Sequence, residues 1–501
     1  MDICLLNDSF PPVIDGVANV VMNYGKLLTE NHGANVIVGT PKYPNANYEG
    51  YPYKVIPYKS LDTTDIVAGY RAGNPLAMRE INQMAEFAPD IIHTHCPASS
   101  TIMARILQNE TGAPIVFTYH TKFDVDIARA VGEGFLKTET IKAMVSNISA
   151  CDEVWVVSEG AGQNLRSLGY EGDYRVVSNG VDFPKGRVDQ AAVDEISKTY
   201  ELPDDVPVYL FVGRMMKYKG LPIIIDALSD LSAKGVDYRM LFVGGGADVE
   251  EMQQKARMHG IALDIYDGEG NLSHEDGDTD STGKIIFTGP VHDREKLRAF
   301  NTRADLFLFP SVYDTNGIVV REAAACGLAS VLIKDSCAAE GITDGRNGFL
   351  IDETAKSMAE LLTRTAKDLP YLRDTGAHAM DEIYISWDDS VKAAYERYGE
   401  IRELVANGTI ARRKKHGSDY FLESASIIVN GTEHVFDMPR NIYGGMKENF
   451  EEFKDELKGN IEDFREDLKD NMDGLRDGIK ENIEEMKDNI EDFFAKKDSE
   501  E

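Results

Sequence analysis

Residues 305–327 read "DLFLFPSVYDTNGIVVREAAACG" and hold a strand, a turn and a helix in one run. Leu306 to Phe309 form an unbroken apolar stretch closed by Pro310, the pattern of a strand buried on both faces. After the turn, Gly317 opens a segment of Ile, Val and Ala that ends at Gly327, which predicts a helix. Asp314 then lies at the helix entrance and Glu322 within the helix. Eight residues at about 100° each leave the two acids about 80° apart on its surface. A carboxylate in so apolar a segment needs hydrogen-bond donors. Ribose hydroxyls would serve, and so would a neighbouring cation such as Arg321. Thr315, Asn316 and Gly317 would offer backbone N–H groups to an anion.

The same alternation extends in both directions. Upstream, "DICLLN" (2–7), "NVIVGT" (35–40), "DIIHTH" (90–95), "PIVFTY" (114–119), "EVWVVS" (153–158) and "YRVVSN" (174–179) read as strands separated by helical patterns. The pattern shifts near 183–200 and restarts with "PVYLFVG" (207–213), "RMLFVGGG" (239–246), "KIIFTG" (284–289), "DLFLFP" (305–310) and "ASVLIK" (329–334). Strands alternating with helices predict parallel sheets covered on both faces. The expectation is an α/β chain of two doubly wound units, residues 1–185 and 186–385, followed by an amphipathic helix at 386–408. Residues 262–282 read as an acidic exposed loop or hairpin. Asp276, Asp278 and Asp280 lack the spacing and closing Glu of an EF-hand.

Beyond lies an irregular stretch, 409–445, with a basic run "RRKKH" and two short β-like segments. Residues 446–497 then predict a long acidic amphipathic helix. Its apolar residues recur every eleven, at Met446, Leu457, Leu468, Ile479 and Ile490, which keeps one stripe on a nearly straight helix. Such a stripe would serve self-association, packing on the body of the protein, or contact with a membrane surface. Residues 446–501 carry 21 acids against 10 bases, which opposes binding to anionic lipid.

The whole chain of 501 residues holds 85 acids and 53 bases, a net charge of −32, which argues against a nucleic-acid partner. Five scattered Cys without CxxC spacing suit a reducing, cytoplasmic setting. No signal peptide and no membrane-spanning run is read in the sequence.

Ligands of doubly wound sheets bind beyond the carboxyl ends of strands, so the residues there are candidates. Gly16 opens the first helix and lets a phosphate approach its N–H groups. His120 follows a strand, and a satisfied loop histidine is the plainer reading; His93 and His95 share one strand face. Arg214 and Lys219, in "VGRMMKYKG", stand at a helix mouth and suit a diphosphate. Gly244, in "VGGG", supplies an equivalent Gly-rich turn.

Taken in order, "FPPVIDGVANVV", "IIHTH", "FTYHTKFD", "VSEGAGQNLRSLGY", "VSNGVD", "FVGRMMKYKG", "LFVGGG", "IFTGPV", "LFLFPSVYDTNGIVVREAAACGLASVL" and "GITDGRNGFLI" resemble glycosyltransferase family 4. The likeness covers roughly residues 1–406. It implies the GT-B fold, two Rossmann-like domains facing a cleft, and retaining transfer of a hexose from a UDP- or GDP-sugar. No metal or other cofactor is implied. By this likeness Glu322 binds the ribose, with Thr315, Asn316, Gly317 and Ile318 beside the nucleotide. Asp314 faces the donor sugar, Arg214 and Lys219 hold the diphosphate, Gly16 lies beneath the phosphates, and Gly244 is among the nucleotide-binding residues. His120 stands near the reacting sugar, and the helix around Trp387 crosses back to the first domain. Two departures bear on the donor sugar: Asp314 stands where the family usually has Glu, and Asn316 where it usually has an aromatic residue. The acceptor implied is a membrane lipid such as diacylglycerol or a glycolipid, met at the inner face of the cell membrane. A polysaccharide, a soluble acceptor or an epimerase of the same fold are alternatives.

Overall fold

The computed structural model describes residues 1–410 except 14, 63–70, 124–126, 128–134, 277–281 and 316; residues 411–501 are outside the description. The expectations for 411–445, for the repeat helix at 446–497, and for Asp278, Asp280 and Asn316 therefore fall on residues that are not described.

Among the described residues, seven strands form the first sheet in the order β3-β2-β1-β6-β7-β8-β9. They are β1 (Asp2–Leu6), β2 (Asn35–Pro41), β3 (Lys54–Tyr58), β6 (Ile91–Thr94), β7 (Ile115–Tyr119), β8 (Glu153–Val156) and β9 (Arg175–Val176). A small antiparallel pair, β4 (Ser60–Asp62) and β5 (Arg71–Gly73), lies apart from it. Every neighbouring pair in the seven-stranded sheet is parallel. β1 lies inside the sheet between β2 and β6, and Ile3, Cys4, Leu5 and Leu6 are fully buried between the two helical layers.

The second sheet runs β13-β12-β14-β11-β10-β15-β16-β17. Its strands are β10 (Val208–Val212), β11 (Arg239–Val243), β12 (Ala262–Tyr266), β13 (Leu272–Asp276), β14 (Lys284–Phe287), β15 (Leu306–Phe309), β16 (Ser330–Ile333) and β17 (Phe349–Ile351). All pairs are parallel except β12 with β13. Hence the acidic stretch after residue 261 is a hairpin, and its first strand is an integral member of the sheet. Sequence reading missed that strand because Asp264 interrupts its apolar run. Asp264 is tolerated there because Lys284 on β14 reaches it at 3.0 Å. Asp276 at the end of the hairpin is held by Arg257 at 2.6 Å and His274 at 2.9 Å.

The helix Trp387–Ala406 returns to the first domain. Trp387, Val391, Ala394, Tyr398 and Ile401 bury one face among residues of the first sheet and of the helix Gly16–Glu30. Among the described residues, no helix is long and apolar enough to cross a membrane.

Candidate active site

The second domain places two cations after β10. Gly220, at φ +79°, turns the chain from a short 3-10 turn, Lys217–Lys219, into the helix Leu221–Ala233. A side chain at Gly220 would land on the carbonyl oxygen of Pro310, so this position has no room for a Cβ. The turn aims Lys219 at Asp314, with Nζ 3.2 Å from one carboxylate oxygen and 3.4 Å from the other. The Ser311 hydroxyl donates to Asp314 at 2.7 Å, and Lys219 also lies over the ring of Phe309. Arg214 is exposed and makes no ion pair among the described residues. Gly244, at φ +139°, presses the end of β11 against that of β10, and a Cβ there would meet the Gly213 carbonyl oxygen.

The helix after β15 begins at Ile318, with Gly317 as its left-handed cap at φ +56°. Asp314 therefore stands outside the helix, in the preceding turn. The angular relation computed for two acids on one helix does not apply; Lys219 and Ser311 orient Asp314 instead. Glu322 does lie within the helix, its side chain 15% exposed. Its partner is Arg294, at 3.0 Å, and not the adjacent Arg321. Arg321 points to the other side of the helix, toward the Ser178 hydroxyl at 3.4 Å, as adjacent helical positions must diverge. Arg294 also reaches Asp182 at 3.2 Å, which links the helix to the connection between domains. Burial raises the Glu322 carboxyl above its usual range, and Arg294 partly opposes that shift.

The first domain meets this surface across the cleft. The Thr315 hydroxyl donates to the His120 carbonyl at 2.6 Å, and the Thr315 carbonyl accepts from the Ser158 hydroxyl at 2.5 Å. Thr315 is thus a tie between domains. Lys122 donates to the Val312 carbonyl at 3.0 Å. Glu340 accepts from the backbone N–H groups of Glu159 (2.9 Å) and Gly160 (2.6 Å), so a second-domain carboxylate caps the helix Glu159–Ser167 of the first. Gly16 begins its helix, and a Cβ there would meet nothing within 4 Å. Asp15 already caps that helix by accepting from the Ala18 N–H at 2.7 Å.

His120 is 6% exposed and His95 1% exposed. His95 Nδ1 lies 3.0 Å from His120 Nε2, and the two rings stack with centroids 5.2 Å apart. His93 packs on His95 at 4.0 Å between centroids, which agrees with their shared strand face. Its own nitrogens bond the Tyr398 hydroxyl at 2.5 Å and the Thr118 hydroxyl at 2.7 Å. Burial lowers the pKa of all three imidazoles, that of His120 to about 3.

The structure brings Lys219, Asp314, Thr315 and His120 into one bonded series and gives Glu322 a separate partner. Sequence reasoning missed Arg294, Asp182, Ser158 and Glu340. All four stand in or beside segments that carry the family resemblance, "VSNGVD", "IFTGPV", "VSEGAGQNLRSLGY" and "GITDGRNGFLI", but nothing in those segments alone marks these side chains as partners. Among the described residues, no group of three or more His, Cys, Asp or Glu side chains is placed to hold a metal ion.

Comparison with known proteins agrees with this architecture. The family described as "Glycosyltransferase Family 4" matches residues 14–184, and "Glycosyl transferases group 1" matches residues 192–380. A D-inositol 3-phosphate glycosyltransferase of Catenulispora acidiphila is 26% identical over 363 residues, covering 69% of this chain and 79% of the relative. The alpha-monoglucosyldiacylglycerol synthase of Acholeplasma laidlawii is 21% identical over 419 residues, covering 78% and 98%. The structure of Anabaena HepE in complex with UDP superimposes with a TM-score of 0.61 at 17% identity, covering 80% of this chain and 100% of that one. The fold is GT-B, and with a glycosyltransferase family matched in each half and family 4-type relatives along most of its length, the chain belongs to the family 4 glycosyltransferases.

Proposed function

We propose that the protein transfers a hexose, with retention of anomeric configuration, from a UDP- or GDP-sugar to a hydroxyl of a membrane lipid or glycolipid. One observation carries this reading: Lys219, paired with Asp314, and an exposed Arg214 that makes no ion pair among the described residues both follow β10, at the carboxyl end of the second sheet. As the donor's glycosidic bond breaks, negative charge develops on the leaving diphosphate. Arg214 and Lys219 stabilise that charge, aided by the backbone N–H groups around Gly16, Gly244 and Gly317. Glu322, oriented by Arg294, accepts from the ribose hydroxyls alongside Ile318. Asp314 and His120 face the donor sugar, and Thr315 and Asn316 close the site beside it. The acceptor hydroxyl attacks from the face that the leaving group vacates, and the departing phosphate takes its proton. No protein nucleophile is required, and no metal.

The lipid acceptor is supported by the diacylglycerol-type name of one relative. An inositol phosphate in the other relative's name favours a soluble acceptor as the second reading. The enzyme then works at the cytoplasmic membrane face. The test is release of UDP or GDP from a panel of nucleotide sugars, run with a lipid extract beside soluble sugars and cyclitol phosphates. Lipid-dependent release supports the first acceptor, and release with the soluble panel alone the second. Lys219→Ala is expected to slow release about 10²–10³-fold. Activity within tenfold of the parent would remove Lys219 from the mechanism.

A further inference from the structure

His95 has one ring nitrogen on His120 and the other, Nε2, buried with no hydrogen-bond partner among the described residues. It is held on three sides: stacked on His120, in contact with His93, and edge-on to Tyr24. Burial keeps His95 and His120 neutral, so each carries a single proton. Two arrangements satisfy the contact between them. In one, His95 is protonated on Nδ1 and donates to His120 Nε2, which places the proton of His120 on its own Nδ1. In the other, His120 donates from Nε2, and His95 must carry a buried N–H with no acceptor. Orphaned buried N–H groups are rarer than under-satisfied acceptors, which favours the first. The Nδ1 of His120 makes no hydrogen bond among the described residues, so it is the nitrogen left for a ligand.

We infer that His95 is a positioning residue that fixes the tautomer of His120, so that His120 presents Nδ1–H to an oxygen of the bound nucleotide sugar. His93 supports the arrangement from behind, itself fixed by Thr118 and by Tyr398 on the helix that returns to the first domain. The kinetic consequence rests on the function proposed above; the tautomer itself does not.

The first test is direct. In protein labelled with ¹⁵N-histidine, the ring signals of His120, assigned by loss in His120→Gln, are expected to show Nδ1 protonated and Nε2 bare. The reverse pattern would overturn the inference whatever the enzyme's activity. The second test is kinetic. Asn at position 95 places an amide N–H near the site of Nδ1–H, whereas Leu keeps bulk without a donor. His95→Asn is expected to retain kcat within tenfold, and His95→Leu to lose about 10²-fold with the unfolding temperature preserved. Equal losses in both variants would reduce His95 to a packing residue. If the parent releases no nucleotide from any sugar donor, the proposed function fails, and the ¹⁵N pattern still decides the tautomer.

Discussion

At the scale of single residues, Glu322 shows how burial and the role proposed for it pull in opposite directions. Its carboxyl is raised because the helix Ile318–Ala325 encloses it, and Arg294 recovers only part of that cost. The folded protein therefore binds the Glu322 proton more tightly than the unfolded chain. Stability from this group is greatest below the ordinary Glu range and is lost as pH rises through the folded pKa. Glu322→Gln, which cannot ionise, is expected to raise the unfolding temperature near pH 7 and to bind nucleotide more weakly. The gain in stability should shrink toward about pH 4, where the parent's carboxyl is protonated. Thermal unfolding at the two pH values checks this; a gap that widens on acidification contradicts it. Sequence alone could place an acid in an apolar helix but not name its partner, because Arg294 is 28 residues away and arrives through the sheet. The same holds for Glu340, which reaches a backbone 180 residues distant.

At the scale of elements, strands buried on both faces were legible because unbroken apolar runs leave little else to form. Three of the strands that escaped notice carry a disguise. β3 includes Pro57 and lies at the edge of its sheet, β12 carries Asp264, and β13 exposes most of its residues. Turns were legible only as glycines, without their separate reasons. Gly244 and Gly16 illustrate two. Gly244 is required by the fold, since a Cβ would strike the Gly213 carbonyl; Gly16 faces open space. Gly244→Ala is expected to lower the unfolding temperature. Gly16→Ala, at the start of a helix, should leave that temperature unchanged or slightly raised while increasing KM for the sugar nucleotide. Equal KM in parent and Gly16→Ala would show that no phosphate approaches that backbone.

At the scale of the whole molecule, two sheets with their helices were readable from alternation. That they face each other across a cleft came only with the family resemblance, and the ties across that cleft were not readable, because they involve single side chains such as Thr315, Lys122 and Glu340. The repeat in residues 446–497 bears on where the enzyme works. If this segment delivers the protein to its acceptor, the full chain should float with lipid vesicles, and a chain ending at residue 445 should not. Both should still release nucleotide from a soluble donor. Absence of flotation at every lipid composition would point instead to association between copies, readable by sedimentation.

The polypeptide passes between the domains at two places that touch. The Val181 N–H donates to the Ile385 carbonyl at 3.0 Å, Val181 pairs with Ser386, and Gly180 is packed on the backbone of Trp387. Crossings bound side by side make a single pivot, so the halves would swing like covers on a spine and not twist freely. Asp182, beside that spine, shares Arg294 with Glu322. The Glu322–Arg294–Asp182 cluster would thus keep its shape in an open molecule, while the Thr315–His120 contact, made across the gap, would form only when the covers shut. On the roles proposed above for Glu322 and His120, nucleotide would enter first, and the sugar would be gripped last.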